Sequence, residues 1–480
     1  MSGELAPRAV ARPARRRFGA VEFLTGDVVQ EARSLRDAGP PGDLTVDLRR
    51  SAQLNSGRLL GILLDLHRRH GPVFETRVLH HRLTFLVGAS ATTYALLEHP
   101  EHFRWREGHL GQLAPLLGDG LLTTDEDYHD RARRLIMPAF HRGQIDASVT
   151  IMVEETETRC AAWTPGETVD VYQWTRETSL RIALRALLGV DPDDRDSGAA
   201  IARHFQRALG FYGLDLYSRL LRGPATPWAR MRAARGRLDE FVHAAIAQRR
   251  REGPGERSDI LSGLLRASSE NADGLSDEEI RDQLITLLFA GHDTSSSTVA
   301  FVLWELARRP ELLERLREEQ ERVLGAGALM AEHVDGRSLP ELERVIDETL
   351  RRYPPAFIGA RRAVENIEVE GVPIRRGSYV HIAYWATQHL PEIFPEPFAF
   401  RPERWSKEMR AGLPRGAYTP FGGGSRICVG KRFGLTAVRT ILTTLLRGND
   451  IGAPSDFELH LRLEPTLSPR HGMPLRVTPR

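Results

Sequence analysis

The run from Asp277 to Arg308 constrains this chain more than any other stretch. Ser276 and Glu279 stand three apart just before an apolar run, the pattern of a capping box, and Pro310 closes the far end. At about 1.5 Å per residue the predicted helix would be close to ~50 Å long, enough to cross a whole domain. Its centre, Leu284–Ala290, is almost wholly apolar, so other structure has to cover it. Helical periodicity continues over about 90–352 and 430–447. Strand-like alternation is confined to Val73–Val87, Ile367–Ile382 and Leu461–Val477. The expected fold is therefore mainly α with small β-sheets (α+β), its β-rich parts near 70–90, 355–385 and 460–478. The Pro/Gly-rich breaks are short enough to be loops. One domain is expected over 23–480, preceded by a disordered Arg/Pro-rich tail over 1–22.

Of the 480 residues 41% are hydrophobic, ample for a large core, and 66 Lys and Arg nearly balance 64 Asp and Glu. A net charge of +2 gives no reason to expect a nucleic-acid partner. Two cysteines, Cys160 and Cys428, make no disulfide framework. No window is long and apolar enough for a membrane anchor, and the first residues lack the apolar core of a signal peptide. A cytoplasmic monomer is expected.

The segment Pro420-Phe421-Gly422-Gly423-Gly424-Ser425-Arg426-Ile427-Cys428-Val429-Gly430 carries the chemistry. A thiolate suits soft or borderline metals. Structural zinc takes four protein ligands, and the one other cysteine is far away in the chain. A haem needs a single strong axial ligand, which one cysteine can supply. Consecutive glycines let backbone approach a flat macrocycle, Phe421 can shield the sulfur, and Arg426 can pair with a propionate. A helix starting near Gly430 would put its positive end by the thiolate. By itself a cysteine in a glycine loop is more often an inert buried thiol.

The full Phe-x-x-Gly-x-Arg-x-Cys-x-Gly pattern resembles the haem-binding signature of the cytochrome P450 family. Four further motifs resemble that family in the expected order. Glu348-Thr349-Leu350-Arg351 is similar to its Glu-x-x-Arg, and with Arg404 the resemblance implies a buried network bracing the cysteine loop. Read alone, Glu348 and Arg351 would be an exposed i,i+3 pair worth well under ~1 kcal/mol. Ala290-Gly291-His292-Asp293-Thr294 sits mid-helix, where Gly, Asp and Thr are poor helix formers. The resemblance makes Asp293 and Thr294 the acid–alcohol pair that delivers protons for dioxygen activation, with Ala290 and Gly291 beside the haem. His129 and Arg133, four apart on one helix face, are implied propionate partners. So is Arg361, preferred over Arg362. Gln388-His389-Leu390-Pro391 departs from the family's usual His-Arg-Asp-Pro run.

The resemblance implies a P450-like fold with the long helix over haem b, and a monooxygenase that hydroxylates or epoxidises an apolar small molecule with O2. No dinucleotide-binding glycine motif or iron–sulfur cysteine cluster is present. Electrons are therefore expected from a separate ferredoxin or flavodoxin with its NAD(P)H reductase. Lys431, Arg432, Arg439, Arg131 and Arg134 are candidates for its docking patch. Leu287, Phe357, Ile358 and Leu467 are candidate substrate contacts. Phe205, Phe211, Tyr212 and Tyr217 are candidate lid residues. The substrate classes left open are terpenoid, fatty acid, steroid and macrolide.

Overall fold

The computed structural model describes residues 39–43, 58–78, 81–194, 197–214, 218–219, 221–253, 255 and 257–480. The expected tail over 1–22 and Tyr217 lie outside them. The protein is mainly helical, with small sheets. By internal packing the chain divides into two compact units, and the division falls inside the long helix between Ala290 and Gly291.

The first unit contains Leu110–Ser148 and Ala183–Ala290. Its helices include Glu126–Ile136, Gly198–Gly210, Pro227–Glu252 and Ile260–Glu270. Ile201, Phe205, Ala208, Met231, Leu238 and Ile246 are buried at helical spacing, which is why these segments pack as helices. Phe205, Phe211 and Tyr212 are all under 7% exposed, and the Tyr212 hydroxyl donates to the Gln112 carbonyl at 3.3 Å. These aromatics are buried in this unit; their size makes burial the dominant demand on them.

The second unit contains the described part of Ala20–His109, Val149–Ile182 and Gly291–Arg480. Its six-stranded sheet runs Gly42–Asp43, Val73–Val78, His81–Leu86, Tyr379–Ile382, Gly359–Ala363, Phe103–Arg104. Val73–Val78 and His81–Leu86 form an antiparallel hairpin, and His81–Leu86 runs parallel to Tyr379–Ile382. The segment Leu461–Val477, whose alternation suggests a short hairpin, is divided between two sheets. Leu461–Arg462 pairs with Ser468–Pro469, while Pro474–Pro479 lies between Asn449–Gly452 and Thr168–Asp170 in a separate sheet. The alternation over Leu461–Val477 therefore belongs to two sheets, because strand periodicity carries no information about partners far away in sequence.

The long helix runs Asp277–Ala307. Ser276 N–H donates to Glu279 Oε2 at 2.8 Å and Glu279 N–H to Ser276 Oγ at 3.3 Å, so the capping box is closed. Val299, Ala300, Phe301, Val302 and Leu303 are all fully enclosed. The helix is α throughout despite Gly291, Asp293 and Thr294. Hydroxyl back-bonds come instead from Ser296 to the His292 carbonyl, at 2.6 Å, and from Thr298 to the Thr294 carbonyl, at 2.9 Å.

Candidate active site around Cys428 and Asp293

Cys428 is exposed, on a loop that precedes the helix Lys431–Gly448. Its N–H donates to the Phe421 carbonyl at 3.0 Å, and the Gly422 N–H to Thr419 at 3.0 Å. Gly422 and Gly424 have φ of +70° and +62°, left-handed values that disfavour any side chain. A Cβ on Gly424 would also lie 2.2 Å from the Leu96 carbonyl oxygen. The backbone that crowds this glycine belongs to the turn Tyr94–Glu98, so glycine is required by the chain's own packing as well as by any ligand. Pro420, Phe421, Arg426 and Gly430 are half-buried around the thiol. The following helix packs closely on the long one: a Cβ on Gly434 would sit 3.6 Å from Ser295 Oγ, next to Thr294.

Arg361 and Arg426 converge on one ring. The Arg361 guanidinium lies 3.6 Å from the centroid of Trp105, and that of Arg426 lies 5.3 Å from it. Arg361 is 3% exposed and shares its strand with Arg362, which points to the other face, over Tyr379 at 4.6 Å. Trp105 carries no motif that marks it in the sequence. Beyond it, His109 Nδ1 and His381 Nε2 are 2.9 Å apart. Burial pushes the His381 imidazole down to about 4, and Arg361 adds to the effect. His381 thus binds its proton more weakly folded than unfolded, so stability falls as pH drops below about 6.5 and levels off below about 4. The loss is on the order of 3 kcal/mol across that window. Chemical denaturation from pH 7 to 4 should show a shallower decline in His381→Phe than in the unmodified chain; equal slopes would contradict this assignment.

Asp293 is 1% exposed. Its Oδ1 accepts from Arg176 Nε at 3.0 Å and lies 3.1 Å from His292 Nδ1. Burial pushes this carboxyl up, but His292 and Arg176 outweigh it and hold Asp293 well below the usual carboxylate range. Its Oδ2 has no hydrogen bond among the described residues. Arg176 comes from the helix Val171–Ala183 and is 21% exposed, so this anion is linked to a partly solvated cation. Sequence spacing could not reveal that partner. Along the long helix Ala290, Gly291 and Thr294 are only half-buried while their neighbours are enclosed, and Leu287 is 7% exposed on the same stripe.

Glu348, Arg351 and Arg404 meet in the core. Arg351 Nε and Nη2 each donate to the Glu348 carboxylate at 2.9 Å, with both side chains 0% exposed. Arg404 Nε is 3.4 Å from Glu348 Oε1, the Arg401 N–H donates to Oε1 at 3.0 Å, and Trp405 Nε1 donates to Oε2 at 3.1 Å. Gln388 ties this network to the cysteine loop: its Nε2 donates to the Leu350 and Arg351 carbonyls, and its Oε1 accepts from Thr419 N–H at 3.3 Å. The departure at Gln388 is therefore a fully buried brace.

In the first unit His129 is 2% exposed with Nδ1 2.9 Å from Asp130, and Arg133 is half-buried on the same helix. Arg131 is not a docking residue. It forms a bidentate pair with Glu279 and donates to the carbonyls of Asp273 and Gly274, because a cation this close to a buried carboxylate is held inward. Arg439 is likewise withdrawn, 7% exposed and paired with Glu343. Lys431 and Arg432 are exposed, and Arg134, also exposed, is paired with Asp273. Phe357 and Ile358 are half-buried; Leu467 is wholly enclosed and its N–H donates to Pro355.

The donor set suits a haem: one accessible thiol, no second thiol or imidazole among the described residues grouped with it for a metal, and two guanidiniums gathered on Trp105 to meet carboxylates. Comparison with known proteins agrees. The family model for cytochrome P450 matches residues 49–462. The chain is 33% identical to cyclooctat-9-en-7-ol 5-monooxygenase of Streptomyces melanosporofaciens, over 81% of this chain and 86% of that one. Cyclooctatin synthase of the same organism is 34% identical over 69% and 72%. The haem domain of cytochrome P450DA superposes with a TM-score of 0.81 at 26% identity, covering 93% of this chain and 98% of that one. A retinoic acid-bound cyanobacterial P450, CYP120A1, gives 0.80 at 25%, covering 92% and 99%. The loop geometry, the Glu348 network and the whole-chain likeness converge, and the chain belongs to the cytochrome P450 family of haem-thiolate monooxygenases.

Proposed function

We propose that this monooxygenase oxidises an apolar terpenoid with electrons from a separate ferredoxin or flavodoxin. The observation that carries the reading is the stripe Leu287, Ala290, Gly291 and Thr294, which offers one hydroxyl and no charge. The two relatives named cyclooctatin synthase and cyclooctat-9-en-7-ol 5-monooxygenase support an apolar carbocyclic substrate of this class. Leu287, Phe357, Ile358 and Leu467 are the proposed substrate contacts.

Cys428 would ligate the haem iron, while Arg361, Arg426, His129 and Arg133 would hold the propionates. Bound there, the haem supplies dioxygen activation and oxidation of an unactivated C–H or C=C bond. The chain's own work is to place protons and keep charge away from the substrate. Asp293, anchored through Oδ1 to Arg176, keeps Oδ2 available to accept and pass on a proton from the solvated side. Thr294, the next residue, presents a hydroxyl that can donate where oxygen reacts. Asp293→Asn should keep haem content but lower turnover by roughly 10–100-fold and enlarge the solvent isotope effect. Unchanged turnover and isotope effect would remove Asp293 from the relay.

Lys431 and Arg432, exposed just after the cysteine, are the proposed docking cations for an acidic carrier. The test of the whole reading is a spin-state titration with terpenoid and fatty-acid panels, followed by turnover with a ferredoxin system. Terpenoid binding with product formed only when the carrier is present supports it. Fatty-acid preference, turnover with peroxide alone, or a reduction rate indifferent to Lys431→Glu/Arg432→Glu would refute the corresponding part.

A further inference from the structure

We propose a surface zinc site built from His99, Glu101, His102 and Glu365, apart from the haem chemistry. His99 Nδ1 is 3.2 Å from Glu101 Oε1, Glu101 Oε1 is 3.9 Å from His102 Nε2, and His102 Nε2 is 3.5 Å from Glu365 Oε1. The ligand atoms of His99, Glu101 and His102 all lie within 4.8 Å of one another. Donors placed at ~2.0–2.2 Å around a tetrahedral zinc sit ~3.3–3.6 Å apart; His99, Glu101 and His102 are already gathered near that scale, while Glu365, close to His102 but outside that group, has to swing in as the fourth ligand. Two imidazoles and two carboxylates offer the nitrogen and oxygen ligands zinc accepts, and the two negative charges balance the ion.

The donors are held in place before any metal arrives. The Tyr94 hydroxyl is 2.9 Å from His102 Nδ1, so with Nδ1 protonated the ring donates to Tyr94 and leaves its Nε2 lone pair toward the carboxylates. The His99 ring stacks on His102 at 4.8 Å with planes 4° apart. The Val364 N–H donates to the His102 carbonyl at 3.0 Å, and Phe103 pairs with Ala363, which brings Glu365 alongside. Arg104 Nη1 donates to the Glu101 carbonyl at 2.7 Å and fixes the turn. His99, Glu101 and Glu365 are open to solvent, which gives the ion an entry path.

Zinc here would clip the turn 99–102 to the end of the strand that carries Arg361, the residue stacked on Trp105. The haem-loaded full chain, treated with chelator, is dialysed against Zn2+ and bound metal is measured by mass spectrometry. One zinc per chain at micromolar Kd is expected. His99→Ala and His102→Ala should each weaken it at least tenfold and Glu365→Gln at least threefold, with the ferrous carbon monoxide band unchanged in all three. No stoichiometric zinc, calcium or magnesium bound in preference, or a His99→Ala/His102→Ala chain that holds zinc as tightly would overturn the proposal. If His102→Ala proves unstable, the solvent-facing His99→Ala variant decides alone.

Discussion

Replacing Cys428 by alanine should abolish the thiolate-type carbon monoxide band of the reduced protein and lower monooxygenase turnover by at least 100-fold. The second thiol cannot take over: Cys160 sits on the helix Arg142–Cys160, and burial pushes it up to about 12, so it stays protonated. The thiolate is the group that favours O–O cleavage, so the loss should fall on turnover even where haem is retained. The scaffold should survive, because the Cys428 side chain is exposed and the loop is held by its backbone bonds and left-handed glycines. Haem incorporation, the difference spectrum and thermal denaturation separate these effects. A variant that keeps the thiolate band would refute the ligand assignment; one with a normal band and no turnover would place the defect elsewhere.

The largest stability effect is expected at Glu348. Its carboxylate takes Arg351, Arg404, Trp405 Nε1 and the Arg401 N–H. Glu348→Ala would leave a fully buried guanidinium without its counter-charge and orphan two further donors. Breaking one partner of such a pair costs about 3–5 kcal/mol, against well under ~1 kcal/mol for an exposed pair. Tm should fall by roughly 3–5 °C for a chain of this length, and haem should be lost during purification, because Gln388 links the network to Thr419 beside the cysteine loop. Glu348→Gln should recover part of the stability by keeping neutral acceptors. A Tm within about a degree of the unmodified chain would show that the network is dispensable.

These two positions also mark how much was legible beforehand. The loop around Cys428 was readable because its pattern is local: one cysteine, left-handed glycines and a helix start lie in consecutive residues. The long helix was readable for the same reason, since caps and periodicity are written within a few residues of each end. From spacing alone Glu348–Arg351 was visible only as a pair, and Arg404 joined it only through the family resemblance. Its weight depends on burial, and burial depends on Arg404, Trp405 and Gln388, which spacing does not connect. Arg131 shows the reverse error: an arginine beside other arginines reads as surface charge until Glu279, distant in sequence, is found beneath it.

What the sequence determined by itself was the helical class, the capped helix and the cysteine-loop motif that resembles the family signature. Each rests on contacts between near neighbours, which periodicity and spacing encode directly. The tertiary structure decided which side chains those residues face. It put Arg176 on Asp293, Trp105 between Arg361 and Arg426, Gln388 under the cysteine loop, and His102 beside Glu365. Each of these joins segments far apart in the chain, so electrostatics, burial and pKa shifts arise only once the fold has closed.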